Sequence, residues 1–152
     1  MESEEFEAHL SAARAKRAGL SSPEGFDVFE SRATSEVELL EVEEALGVQL
    51  PGECREFMKR HGGGIFLFLD LLPVAASDDQ EDDLRRVNAS EFKHGDFIAV
   101  APVGTGDWWG FSVIEGRCAN QVDLWDHEDG QVQFAAIGFL EFLACEGLRV
   151  GR

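Results

Sequence analysis

Apolar residues recur along this chain first at helical spacing and then at strand spacing, with the change falling near Gly64. Phe6, Leu10 and Ala13 form a thin stripe that predicts a helix over Glu4–Ala18. Glu4, Glu5 and Glu7 stand early in it and Arg14, Lys16 and Arg17 late, which suits the helix dipole, and Gly19 is a natural stop. A loop at Ser21–Gly25 follows, so this helix is expected to dock on the main domain as an appendage. The next helix is better marked. Ser35 and Glu38 make a capping box, Leu39, Val42 and Leu46 share one face, and Gly47 ends it. Val48 and Leu50 continue the core, and Pro51 opens a third helix carrying Cys54, Phe57, Met58 and His61 at steps of three and four.

After Gly62-Gly63-Gly64 the pattern becomes short and extended. Ile65–Leu69 reads as one buried strand and Ser77–Asn88 as a helix. Phe97–Ala101, Trp108–Ile114, Gln121–Trp125 and Gln131–Ala135 read as strands, the last two joined by a hairpin turn at Asp129-Gly130. Phe139, Phe142 and Leu143 form the apolar face of a closing helix. The expected fold is therefore α+β: an antiparallel-rich β-sheet meander with flanking N-terminal helices and a C-terminal helix. The divisions are residues 1–33 (helix and linker), 34–147 (main domain) and 148–152 (short tail).

Strand alternation then separates two sheet faces. Trp108 and Trp109 are neighbours and must point opposite ways. Trp109, Phe111 and Val113 form the more apolar set, so Trp108 shares its face with Gly110 and Ser112. By the same alternation Val122, Leu124, Val132 and Phe134 are expected in the core, with Asp123, Trp125, Gln131 and Gln133 facing away. The result is a face bearing Trp108 and Trp125 among polar and acidic groups. It is either a partner surface, where aromatic anchors with a polar surround are favoured, or a face covered by a terminal helix.

Composition bounds the function. The 152 residues are 44% hydrophobic, enough for one real core, and no apolar run approaches the roughly 20 residues that cross a bilayer. The first residues, Met1-Glu2-Ser3-Glu4-Glu5, are acidic where a secretory signal is basic, which predicts a cytoplasmic protein. Three scattered cysteines, Cys54, Cys118 and Cys145, lack a CxxC pair and read as small buried hydrophobes. Thirty acidic residues against thirteen basic ones give a net charge of −17. Such a field repels nucleic acid and anionic membranes and speeds encounter with a basic partner.

The chemical motifs fail one by one. His61-Gly62-Gly63-Gly64 resembles an esterase oxyanion loop, but no serine has glycine at both flanking positions, and the glycines stand where a helix must stop. Gly104-Thr105-Gly106 has Trp109 where a dinucleotide fingerprint needs its third glycine. Asp126-His127-Glu128-Asp129-Gly130 misses EF-hand and zinc spacing and reads as a solvated hairpin tip. The acidic run Asp78-Asp79-Gln80-Glu81-Asp82-Asp83 serves a helix N-terminus, with Ser77 and Gln80 as a capping box, and is compatible with docking a cationic partner. No local Ser/His/Asp or Cys/His arrangement points to catalysis. The expectation is a non-enzyme with no cofactor or metal; a small metal-dependent hydrolase is the rival that bound metal would revive.

Val42-Glu43-Glu44-Ala45-Leu46-Gly47-Val48-Gln49-Leu50-Pro51, followed by Phe57 and Gly62-Gly63, resembles the signature of the SUKH superfamily, the Smi/Knr-like domains. Ile98 to Asp107, Trp125-Asp126-His127-Glu128 and Phe139-Leu140-Glu141-Phe142-Leu143 extend the resemblance over Thr34–Leu143. His61, Cys54 and Ser112 depart from it, standing where asparagine, an aromatic and an acid are usual. The resemblance implies an α+β fold and a protein-binding function, in bacteria that of an immunity protein neutralising a toxin, often a nuclease. With the charge and the strand faces, it makes Trp108 and Trp125 the expected anchors. Asp107, Asp123, Asp126, Glu128, Asp78, Asp79, Glu81, Asp82 and Asp83 are the expected electrostatic complement to a basic toxin, met by a monomer. A regulatory scaffold for cellular partners is the alternative.

Overall fold

The computed structural model describes residues 1–18, 29–75, 82–92 and 94–151. The first helix, α1 (Ser3–Ala18), has Glu4 and Glu5 in its first turn. Its thin stripe enters the core: Phe6 and Leu10 are buried, and the Phe6 ring stacks on Phe66 and meets Phe57 edge-on. Helix α2 (Glu36–Leu46) has both halves of the expected capping box, with Ser35 accepting from the Glu38 N–H and Glu38 accepting from the Ser35 N–H. Gly47 ends it in the left-handed region at φ 70°, where a side chain is strained. Helix α3 (Gly52–Arg60) buries Cys54, Phe57 and Met58. The half-buried Glu43 carboxylate ties α2 to α3 by accepting from the Leu50 N–H at 2.8 Å and Arg55 Nε at 3.2 Å.

A three-stranded antiparallel sheet follows in the order β1 (Phe29–Arg32), β2 (Gly63–Phe66), β3 (Leu69–Leu71). Alternation does not predict β1, because its polar sequence gains its place from the glycines opposite it. A Cβ at Gly62 would lie 1.7 Å from the Arg32 carbonyl oxygen, and one at Gly63 would lie 2.6 Å from that of Leu72. The glycines after α3 therefore stop a helix and also let three backbones close together. Ile65–Leu69 is not the single buried strand expected. The chain reverses at Leu67-Phe68, with Leu67 at φ 55°, and leaves Ile65 and Phe68 on the surface.

Helix α4 (Leu84–Glu91) starts later than expected, because Asp83 caps it by accepting from the Arg86 N–H at 2.9 Å. The expected Ser77/Gln80 capping box lies outside the described residues. The larger sheet is antiparallel in the order β4 (Phe97–Pro102), β5 (Trp108–Ile114), β7 (Val122–Trp125), β8 (Val132–Ala136), with the two-residue β6 (Arg117–Cys118) paired to the end of β5. A short helix, α5 (Phe139–Phe142), runs on into a π-helical turn at Leu143–Gly147. Its aromatics close the inner sheet face, Phe139 against Phe111 at 5.8 Å and Phe142 against Trp109 at 5.5 Å. The structure is thus the α+β arrangement of helices flanking a mostly antiparallel sheet. Among the described residues, no helix is long and apolar enough to cross a membrane.

Candidate functional site

Residues paired directly across an antiparallel ladder share a face. The register therefore lays out the outer face of the larger sheet in rows: Pro102–Trp108–Trp125–Val132, then Ala99–Gly110–Asp123–Phe134, then Phe97–Ser112. Trp108 and Trp125 are cross-strand neighbours, as alternation requires. Neither terminal helix covers them. Phe92, just past α4, stands edge-on to Trp125 at 5.0 Å and to Trp108 at 6.3 Å, and packs on Phe97 at 5.2 Å. Gly110 makes this possible, since a Cβ there would lie 2.8 Å from the Phe97 ring. The tryptophans are left half-buried, an ordered aromatic floor rather than free-standing side chains.

Val132 and Phe134 correct the sequence reading. They do not enter the core: Val132 is 47% and Phe134 64% exposed, on the same face as Trp125 and Asp123. The cause is the hairpin register, which pairs Val132 with Trp125 and Phe134 with Asp123 and so puts all four on one face. A bulge follows: Val122 pairs with Ala136, so one extra residue beyond Phe134 returns Ala136 to the inner face. Ala136 keeps the inner position beside Val122, and the surface gains an apolar strip that continues to Ile137, itself 66% exposed.

Asp123 is the buried acid of this face, only 3% exposed. Its two carboxylate oxygens accept from Ser112 Oγ at 2.7 Å and Gln121 Nε2 at 2.8 Å, so Ser112 supplies a donor to a neighbouring acid. Asp107 joins the loop after β4 to the β7–β8 hairpin. Its carboxylate accepts from the His127 N–H at 3.0 Å, from His127 Nδ1 at 2.6 Å, and from Thr105 Oγ1 at 3.1 Å. The bond from the His127 backbone N–H, then that from its ring, holds the Asp107 carboxyl below the usual carboxylate range. The same ring bond raises the imidazole pKa of His127. Asp126 and Asp129 close the hairpin tip by accepting from the Glu128 and Gln131 N–H groups, and Glu128 is exposed.

Among the described residues, Asp107, Asp126 and His127 bring ligand atoms within 4.8 Å of one another and could share a cation. Each is already engaged in the local turn or the loop contact. The structure thus gathers Trp108, Trp125, Asp107, Asp126 and Glu128 at one corner of the sheet, with Asp123 beneath. Asp83 stands at the other end of α4 from Phe92, Asp82 is exposed beside it, and Asp78, Asp79 and Glu81 lie outside the described residues. Phe92 left no pattern in the sequence beyond an aromatic four residues after Asn88. Phe134 left a clearer one, since it sits in a stretch without charge from Gly130 to Gly138.

The family model SUKH_6, described as SMI1-KNR4 cell-wall, matches residues 36–143, from the start of α2 to the end of α5. The chain belongs to this SUKH family. No curated protein matches the sequence. The outer sheet face, Phe92 and the hairpin tip all lie inside the matched SUKH domain, whereas α1 and β1 precede it.

Proposed function

We propose that this SUKH domain is an immunity-type protein that binds a cognate toxin of basic, nuclease-like chemistry and blocks it by occupying its surface. The observation that carries this reading is the outer sheet face, where exposed Val132 and Phe134 flank half-buried Trp125 beside the acids of the hairpin tip. Exposed apolar groups rimmed by charge mark interaction surfaces, and desolvated aromatics at their centre carry most of the binding energy. The −17 net charge speeds encounter with a basic partner and rejects acidic ones. In this reading Trp108 and Trp125 anchor the contact while Asp107, Asp126, Glu128 and the Asp78–Asp83 run complement the partner's charge. The domain works as a monomer in the cytoplasm and without catalysis.

One observation supports the non-catalytic part. Burial pushes the Cys118 thiol up to about 12 and the Cys54 thiol higher still, which keeps both protonated and poor as nucleophiles. The test is co-purification with the product of a toxin-like gene neighbouring this one. A stoichiometric complex, loss of toxin activity, and affinity that falls with salt are expected; a basic toxin neither bound nor inhibited overturns the proposal. The family description, SMI1-KNR4 cell-wall, favours a second reading, a regulatory scaffold for cellular proteins. Capture of a defined cellular complex by the purified domain, with no toxin encoded nearby, would put that reading first.

A further inference from the structure

Among the described residues, strand β8 pairs with β7 on one side and with no strand on the other. Hydrogen bonding alternates along an antiparallel ladder. The Asp126 N–H donates to the Gln131 carbonyl at 2.9 Å, so the next β8 residue to face β7 is Gln133, opposite Leu124. The backbone N–H and C=O groups of Val132 and Phe134 therefore turn to the open edge.

Edge strands normally carry charges or prolines that stop another chain from pairing with them. From Gly130 to Gly138 this chain has neither. The bulge lies beyond Phe134 and leaves the outward groups of Val132 and Phe134 in place. The opposite edge of the sheet is treated differently. There the Asn88 amide donates to the Ala99 carbonyl and accepts from its N–H, and the Leu72 N–H donates to the Val100 carbonyl. One edge is closed, and the other presents donors, acceptors and apolar side chains together, which is what an added strand uses.

Charge identifies the occupant. Between Arg117 and Arg149 there is no lysine or arginine, while acids stand at both ends of β8. Asp126, Glu128 and Asp129 form the hairpin tip, and the Glu53 carboxylate lies against Gly138 at the other end. A second copy of the chain would set the same acids, and another −17, against these. We propose that the open edge of β8 takes up an extended segment of a basic partner protein as an added strand. Apolar side chains of the segment lie on Val132 and Phe134, and its lysines or arginines reach the acids at the strand ends. This rests on the partner-binding function above and names the part of the domain that makes the contact.

The probe is a synthetic peptide alternating valine and lysine, about ten residues long to span the strand, added to the whole protein and followed by NMR amide exchange. Saturable binding with slowed exchange at Val132 and Phe134 is expected. A V132K/F134K variant, altered only at exposed side chains, is expected to bind at least about tenfold more weakly, and an Ile114→Lys control, equally exposed on β5, to bind as the wild type. Absence of saturable binding, protection confined to other strands, or undiminished affinity of V132K/F134K overturns the proposal. So does protection that rises with protein concentration without peptide, which would make a second copy the occupant. A toxin neutralised equally by V132K/F134K removes the edge but leaves the immunity function. A peptide docked on β8 with no toxin bound does the reverse.

Discussion

Asn88 holds the covering helix on the sheet, and its removal has a computable cost. It is 2% exposed, donates to the Leu84 and Ala99 carbonyls at 2.9 and 3.0 Å, and accepts from the Ala99 N–H at 2.7 Å. Because the Val113 N–H donates to the Asp96 carbonyl, alternation turns both backbone groups of Ala99 away from β5, where Asn88 meets them. Asn88→Ala strands two fully buried groups at about 1–3 kcal/mol each, so a loss of about 2–6 kcal/mol is expected. Against a total of about 5–15 kcal/mol, that change is readily measured by urea unfolding. Phe92, one turn further on, should loosen from Trp108 and Trp125 and shift their emission to the red before global unfolding. Asn88→Asp keeps the acceptor for Ala99 but sets a carboxylate against two carbonyl oxygens. Its pKa should rise above the unfolded value near ~3.9, so its deficit should grow as pH climbs from that value toward neutrality. A loss below about 1 kcal/mol for the alanine variant, or a pH-independent deficit for the aspartate, would refute this role for Asn88.

Gly62→Ala should cost more than about 3 kcal/mol or prevent folding, because its Cβ would occupy the Arg32 carbonyl. Gly47→Ala, also at positive φ but facing open space, should cost only about 1 kcal/mol by calorimetry. NMR titration should place the His127 midpoint above about 6.5, and Asp107→Asn should bring it down. The raised histidine stabilises the loop–hairpin contact below the unfolded His value and loses this as pH rises through its folded pKa. The lowered Asp107 stabilises it above the unfolded Asp value and loses this as pH falls through its folded pKa. The contact should therefore be strongest between about pH 4 and 6.5. Val132→Lys and Phe134→Lys should each leave stability within about 0.5 kcal/mol by thermal unfolding, as expected for exposed side chains.

Elements specified by local chemistry were legible in the sequence. The capping box at Ser35 and Glu38, the stop at Gly47, the whole of β5 and the hairpin turn at Gly130 rest on residues close in the chain. Features that depend on distant partners were not. Strand β1 exists because Gly63 and Gly64 pair with it from across the fold. The start of α4 depended on which of several acids caps it, and Asp83 does so. At the candidate site, alternation placed Trp108 and Trp125 together correctly but failed at Val132 and Phe134, because the β7–β8 hairpin register, which pairs them with Trp125 and Asp123, cannot be read from apolar alternation alone. The correction enlarges the apolar surface beside the tryptophans.

Family membership and surface chemistry bear on the same part of the chain. The SUKH match covers the sheet and the helices that pack on it, and the sheet exposes Phe134 and Val132 among acids at its open edge. The most direct measurement of the proposed function is titration calorimetry of the purified domain against the product of a toxin-like gene neighbouring its own, read together with that product's residual activity. One-to-one binding that weakens with added salt and abolishes activity is the expected result. No heat of binding, with toxin activity intact, would contradict the proposed function.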